Sequence, residues 1–371
     1  MTRVAAIDCG TNSTRLLVAD ADAQGNLTDL YRDMRITRLG QNVDHSGILS
    51  EAALARTFAA AKEYHQKIVE LGATRIRVVA TSATRDARNR SDFIAGMREA
   101  LGVEPEVISG EEEAALSFQG AISALPGLEI KGGAGDYLVV DIGGGSTEFV
   151  RGAGLGSRGS CQNNSSDRSC SKSAIVAAIS TNMGSVRVTE RFGPEPWERD
   201  NLQAASAWID EWLDQADAAV DFSRVGCLVG VAGTVTTIAA YALGCDSYRP
   251  DLTHGAQLSE TAWQQAIDFM ISASVDQKAE LGIMPPGRAD VIGGGALIWR
   301  RILARIIGHP FTGSPAAFFG DSTVAFSAQR PGDAFDTSSP FSSVPTKPKI
   351  PVVVSEHDIL DGIAQALANG E

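Results

Sequence analysis

The chain is short of the residues that mark several common protein classes. It has five cysteines among 371 residues, at irregular spacing, which form neither a disulfide framework nor a zinc pattern. Its five histidines are scattered, and none sits in an HExxH arrangement. Positive charge is scarce: 32 Lys and Arg stand against 45 Asp and Glu, a net charge of −13. That balance excludes nucleic acid or an anionic membrane as the main partner, since either demands a basic surface. A polyanionic substrate stays admissible if Arg and Lys cluster locally and a divalent cation assists. Long apolar runs are missing as well. The opening MTRVAAIDCG is too short for a secretory signal and no later run could span a bilayer, so a cytoplasmic location is expected. What is present is ordinary for a globular protein, with 44% hydrophobic and 21% charged residues in a chain long enough for two domains.

The most informative stretch is Tyr137–Arg151, YLVVDIGGGSTEFVR. Tyr137 to Val140 reads as a buried strand that ends at Asp141. Gly143, Gly144 and Gly145 turn the backbone where a Cβ would obstruct, and Ser146 to Val150 alternates as a returning strand. The product is a hairpin whose tip bares amide groups beside two carboxylates, Asp141 and Glu148. Concave runs of backbone N–H bind anions, phosphate above all. A ligand-free Gly hairpin is the plainer reading, and the bracketing acids weigh against it. Val4 to Ala19 repeats the plan: strand, Asp8, a Gly10-containing turn, Ser13, strand. Two such hairpins predict a duplicated architecture around one phosphate-binding cleft.

Further along, Ser50 caps a helix to about Leu71 with Gly72 at its stop, and Arg75–Ala80 is a strand. Arg85, Arg88 and Arg90 follow its carboxyl end. A run of arginines is usually a solvated helix face, but loops at strand carboxyl ends are where open α/β sheets bind ligands, so Arg85 is expected to contact phosphate. Glu111, Glu112 and Glu113 open a helix after a strand at Glu104–Ser109. The helix dipole partly explains three acids there, and pattern alone does not choose which one faces a cleft as a general base. Residues 127–136 read as a hinge between an N-terminal domain, 1–126, and a C-terminal domain, 137–371. Residues of about 152–173, with Cys161 and Cys170, and of about 309–349 read as surface insertions. Ala232-Gly233-Thr234 is another strand, Gly turn and helix start, suited to an anion or a sugar hydroxyl. Gly293-Gly294-Gly295 weakens any helix over Ala289–Ile307. Ser355 is expected to cap a last helix from Glu356, with His357-Asp358 on its surface.

Together IDCGTNSTRLLVAD, VVATSATRDARN, EVISGEEEA, LVVDIGGGSTEFV, NMGSVRVTERF, GVAGTVTT, GRADVIGGGALI and SEHDILDGIA resemble the Ppx/GppA phosphatases, the exopolyphosphatase and guanosine pentaphosphate phosphohydrolase family. The segments cover most of the chain apart from the two insertions. The resemblance implies an α/β fold of two ribonuclease-H-like domains, as in actin-like ATPases and sugar kinases, around a central cleft. It implies metal-dependent hydrolysis of terminal phosphoanhydride bonds of polyphosphate, of short chains especially since no appended helical domain fits in this length; guanosine pentaphosphate (pppGpp) is the alternative. An ATP-dependent small-molecule kinase or a non-catalytic sensor are the readings from other classes. By position, Glu113 becomes the catalytic base, and Asp141 and Glu148 hold Mg²⁺ or Mn²⁺. Gly143, Gly144, Gly145 and Ser146 cradle the terminal phosphates, faced by Asn12, Ser13 and Arg85, while Gly233 and Thr234 form the matching loop of the second domain. The implied partner is the polyphosphate or guanosine polyphosphate substrate, with neither nucleic acid nor membrane, and a homodimer is compatible.

Overall fold

The computed structural model describes residues 1–22, 25–125, 136–153, 175–193, 196–308 and 350–370. The expected hinge at 127–136 and both expected insertions, with Cys161 and Cys170, fall almost wholly outside these residues.

The first sheet is built from β1 (Thr2–Cys9), β2 (Ser13–Ala21), β3 (Leu27–Ile36), β4 (Arg75–Ala80) and β5 (Glu106–Val107), in the order β3-β2-β1-β4-β5. Three strands form an antiparallel meander and the last two join parallel to β1. Short helices α1 (Val43–Ser46) and α3 (Ser82–Asp86) lie at the sheet's carboxyl edge, and α2 (Glu51–Leu71) and α4 (Arg90–Leu101) cover one face. That face buries Ile7, Leu16, Tyr64, Phe93 and Met97 together. The ends of α2 are set locally, as expected: the Ser50 side chain accepts from the Ala53 amide, and Gly72 stops the helix at φ 72°.

The second sheet contains β6 (Asp136–Ile142), β7 (Thr147–Gly152), β8 (Ile175–Thr181), β9 (Val225–Val231) and β10 (Val352–Val354), ordered β10-β9-β6-β7-β8. Read from β8, this is the same order and the same pattern of antiparallel and parallel pairs as the first sheet. The chain therefore folds as the duplicated α/β architecture its two hairpins imply. Helices α6 (Ser185–Phe192), α7 (Arg199–Val220), α8 (Ala232–Ala242), α9 (Pro250–Thr253), α10 (Glu260–Ser272), α11 (Val275–Ala279) and α12 (Ile292–Ile306) belong to this domain. Its core gathers Phe149, Ile209, Leu213, Trp263 and Trp299.

Helix α12 carries the three glycines that spoke against a helix. It forms because they permit close approach: a Cβ on Gly294 would lie 2.7 Å from the Ser185 carbonyl oxygen, and one on Gly295 would lie 2.6 Å from Thr234. The packing gained there outweighs the roughly 1 kcal/mol each glycine costs in helix propensity.

Between the sheets lie α5 (Gly110–Ser123) and α13 (Ile359–Asn369), packed on each other. Helix α5 follows the first sheet in sequence yet covers the second, placing Ala114 and Phe118 against Val139, Val150 and Val229. Helix α13 does the reverse: Leu360, Ile363 and Leu367 cover Val4, Ala6 and Leu17 of the first sheet. Each of these two helices thus packs on the sheet built by the other half of the chain. The two helices cross where neither has a side chain. A Cβ on Gly120 would sit 1.9 Å from the Asp358 carbonyl oxygen, and one on Gly362 2.0 Å from that of Leu116. The cap of α13 also differs from expectation. Asp358, not Ser355, accepts from the Leu360 amide at 3.0 Å, and Asp361 completes a capping box.

Candidate active site

The two hairpin turns meet. The Thr11 hydroxyl bonds Ser82 at 2.9 Å, and a Cβ on Gly145 would lie 2.3 Å from the Ser82 hydroxyl. Gly145 is glycine because the other domain's turn rests on it. On the far side, the carbonyls of Gly143 and Gly144 accept from the amides of Ser185 and Val186, at 3.0 and 2.8 Å. Amide and carbonyl of one peptide point in opposite directions, so carbonyls held by α6 turn the following N–H groups away from it. Among the described residues no acceptor pairs with the amides of Gly144, Gly145 or Ser146, all of which border the cleft. Bare amides aligned in this way have the chemistry to receive an anion.

Equivalent positions of the two hairpins carry different charges. Asp141 stands directly opposite Glu148 across β6 and β7, whereas Asp8 stands opposite Arg15 across β1 and β2. Ser117 donates to Asp141, and Ser180 donates to Glu148 at 2.7 Å. Arg15 donates to Asp8 at 2.7 Å and also to Asp358. The Asp358 reached this way is a buried helix cap at the cleft wall rather than a surface residue.

Burial chooses among the three acids that open α5. Glu111 is exposed, Glu112 pairs with Arg77 at 2.7 Å, and Glu113 is 8% exposed and borders the cleft. Its carboxylate accepts from Arg85 at 3.1 Å, and the same guanidinium nitrogen donates to the Ile108 carbonyl at 2.9 Å. Arg85 therefore stands behind Glu113 and is not among the residues that border the cleft. The other expected residues do converge: Asn12, Ser13, Glu113, Asp141, Gly143, Gly144, Gly145, Ser146, Glu148, Gly233 and Thr234 border one cleft of about 430 Å³. The turn carrying Gly233 and Thr234 is held tight by Ala232 at φ 65°, a costly conformation for a residue with a Cβ.

Several cleft residues escaped the reading of the sequence. Asp8 carried a usable signal, since it matches Asp141 in the repeated plan, and its Oδ1 is buried without a partner. Arg288, Tyr248 and Glu356 carried none. The Arg288 guanidinium packs on Gly233 and donates to Thr237 at 3.0 Å. Among the described residues no carboxylate lies within ion-pair distance of it.

A sequence profile described as the Ppx/GppA phosphatase family matches residues 17–312. The chain belongs to the Ppx/GppA phosphatase family. Exopolyphosphatase 2 of Mycobacterium tuberculosis is 36% identical over 99% of both chains. The crystal structure of an exopolyphosphatase-like protein superposes with a TM-score of 0.79 at 37% identity, covering 98% of this chain and 97% of that one. The Aquifex aeolicus Ppx/GppA family member gives a TM-score of 0.68 at 25% identity over 100% and 99% of the two chains. Membership makes the chain a hydrolase of phosphoanhydrides.

Burial dominates the electrostatics of this cleft. Burial pushes the Glu113 carboxyl up to about 7, against the pull of Arg85. Burial and then Asp358 push Asp141 up to about 7. Burial, with Glu113 and Asp141 nearby, raises Glu148 well above the carboxylate range. In the metal-free phosphatase the folded state holds these protons more tightly than the unfolded chain, whose carboxyls titrate near 4. Their contribution to stability is complete below about pH 4 and is lost as pH rises through about 7. Glutamine at 113 mimics the protonated acid at every pH. With chelator present, the melting temperature of Glu113→Gln should gain on wild type by roughly 5 °C between pH 5 and pH 8. A gap that stays constant in scanning calorimetry would remove the case for a buried protonated carboxyl.

Proposed function

We propose that the protein is an exopolyphosphatase, cleaving the terminal phosphoanhydride of inorganic polyphosphate with a divalent cation. The observation that carries this reading is the bare Gly144–Ser146 amide nest beside Glu113, Asp141 and Glu148 in one cleft. The amides receive the terminal phosphate oxygens, with Asn12 and Ser13 facing them from the first domain. Glu113 accepts the proton of the attacking water, its ionised form held in place by Arg85. The water oxygen forms the new bond to phosphorus, the anhydride oxygen leaves with the shortened chain, and orthophosphate is released. A group titrating near 7 suits that exchange at neutral pH.

The donors present fit a hard cation such as Mg²⁺ or Mn²⁺. All are carboxylate oxygens, Asp141 and Glu148 are juxtaposed, and Asp8 offers an unpaired buried oxygen. Among the described residues no three such side chains are close enough to form a complete cage. Mg²⁺ needs none, because it keeps waters and takes one or two carboxylates plus substrate phosphates. When bound there it supplies neutralisation of the phosphate charge. Asp141→Asn should accordingly raise the Mg²⁺ concentration for half-maximal activity by about tenfold or more. An unchanged metal titration would take Asp141 out of the ligand set.

Arg288 gives the far end of the cleft a cation for a second stretch of a phosphate chain. Met34, Pro285 and Ile292 also border that end, and such apolar surface supports guanosine pentaphosphate as the competing substrate. Phosphate release from short polyphosphate, long polyphosphate and pppGpp, each with Mg²⁺ and with Mn²⁺, decides between them. Release from none of the three sinks the proposal.

A further inference from the structure

Arg187, on α6, touches both domains at once. Its Nε donates to the Gly145 carbonyl at 2.6 Å, Nη1 donates to Asp44 and Nη2 to Asp86. Asp44 lies on α1 and Asp86 ends α3, both in the first domain. The Arg187 side chain is only 12% exposed, while those of Asp44 and Asp86 are 40% and 36% exposed. One turn further along α6, the Glu190 carboxylate accepts from the Asn42 amide at 2.8 Å, joining the same two surfaces. None of these four side chains borders the cleft.

The three carbonyls of the phosphate-binding turn are held in two different ways. Those of Gly143 and Gly144 are tied by backbone amides of α6, so they stay fixed whatever the first domain does. The carbonyl of Gly145 is tied by the Arg187 side chain, whose fork is oriented in turn by two carboxylates across the domain boundary. The Gly145 carbonyl and the Ser146 amide belong to one planar peptide, so the bond that fixes the first aims the second. A guanidinium presents its donors in a rigid plane, and losing two of three acceptors frees that plane to rotate.

We infer that Arg187 is a positioning residue that makes the aim of the Ser146 amide conditional on docking of the two domains. The phosphate nest is complete only when the cleft is closed, because the residue finishing it takes its orientation from Asp44 and Asp86. The inference rests on the reading of the cleft as the hydrolytic site.

Asp44→Asn/Asp86→Asn removes the two carboxylates and leaves Arg187, Gly145 and every cleft residue in place. In this variant KM for polyphosphate should rise about 5–30-fold with kcat retained, because saturating substrate itself draws the cleft shut. Arg187→Met, which also frees the Gly145 peptide, should lower kcat as well as raise KM. Arg187→Lys, with one ammonium in place of a planar fork, should fall between wild type and Arg187→Met. Small-angle scattering without substrate should give the double variant a larger radius of gyration than wild type. An unchanged KM in the double variant, or an unchanged radius, overturns the inference. Should wild type release no phosphate, the functional reading fails instead, and the scattering comparison still decides whether the clasp holds the domains together.

Discussion

Glu113→Gln is expected to lose about 10²–10⁴-fold in turnover while keeping the fold and most of its affinity for substrate. Glutamine fills the same space on α5 and still accepts from Arg85 through its carbonyl oxygen. It cannot take a proton from water. On the proposed reading the phosphate is held by amides of the β6–β7 hairpin and not by α5, so KM should move little, which separates this variant from those that disturb the nest. Phosphate release and near-ultraviolet circular dichroism on the same preparation test both halves of the statement. Turnover close to wild type would eliminate Glu113 as the base.

The second large effect is on the crossing of α5 and α13. Gly120→Ala places a methyl group where the Asp358 carbonyl already lies, at 1.9 Å from the ideal Cβ position. Backbone cannot move aside as a flexible side chain can, so the helices must separate. Overpacking of this kind costs about 3 kcal/mol. Helix α5 also carries Glu113 and, one turn on, Ser117, the donor to Asp141. Separation therefore shifts Glu113 and Asp141 together, and Gly120→Ala should lose activity as well as stability in urea titrations. Gly72→Ala is the contrast: its Cβ meets nothing within 4 Å, and only the left-handed backbone at φ 72° is strained. It should cost about 1 kcal/mol, the penalty of a Cβ in left-handed backbone, and leave turnover alone. Equal losses of activity in the two variants would show that the crossing has no special bearing on the site.

Much of this architecture was legible because the signals are local. Ser50 and Gly72 bound α2 through hydrogen bonds within a turn of themselves. Strand β4 runs from Arg75 to Ala80 as its pattern indicates, and the two hairpins announce themselves by an Asp before a Gly turn. The elements misjudged depend on partners remote in sequence. Asp358 is 343 residues from Arg15, the cation that holds it, and nothing near position 358 reveals that. Gly294 and Gly295 read as helix breakers until Ser185 and Thr234 are seen pressed against them. The strand expected at Glu104–Ser109 shrinks to Glu106–Val107 because only those two residues reach β4 in register.

The exchange of α5 and α13 between sheets has a consequence for synthesis on the ribosome. The face formed by Val4, Ala6 and Leu17 is made long before its cover, α13. Throughout translation of the intervening residues that face of the nascent chain lacks its cover. The amino-terminal half can complete its native packing only once residues 359–369 have emerged and folded back onto it.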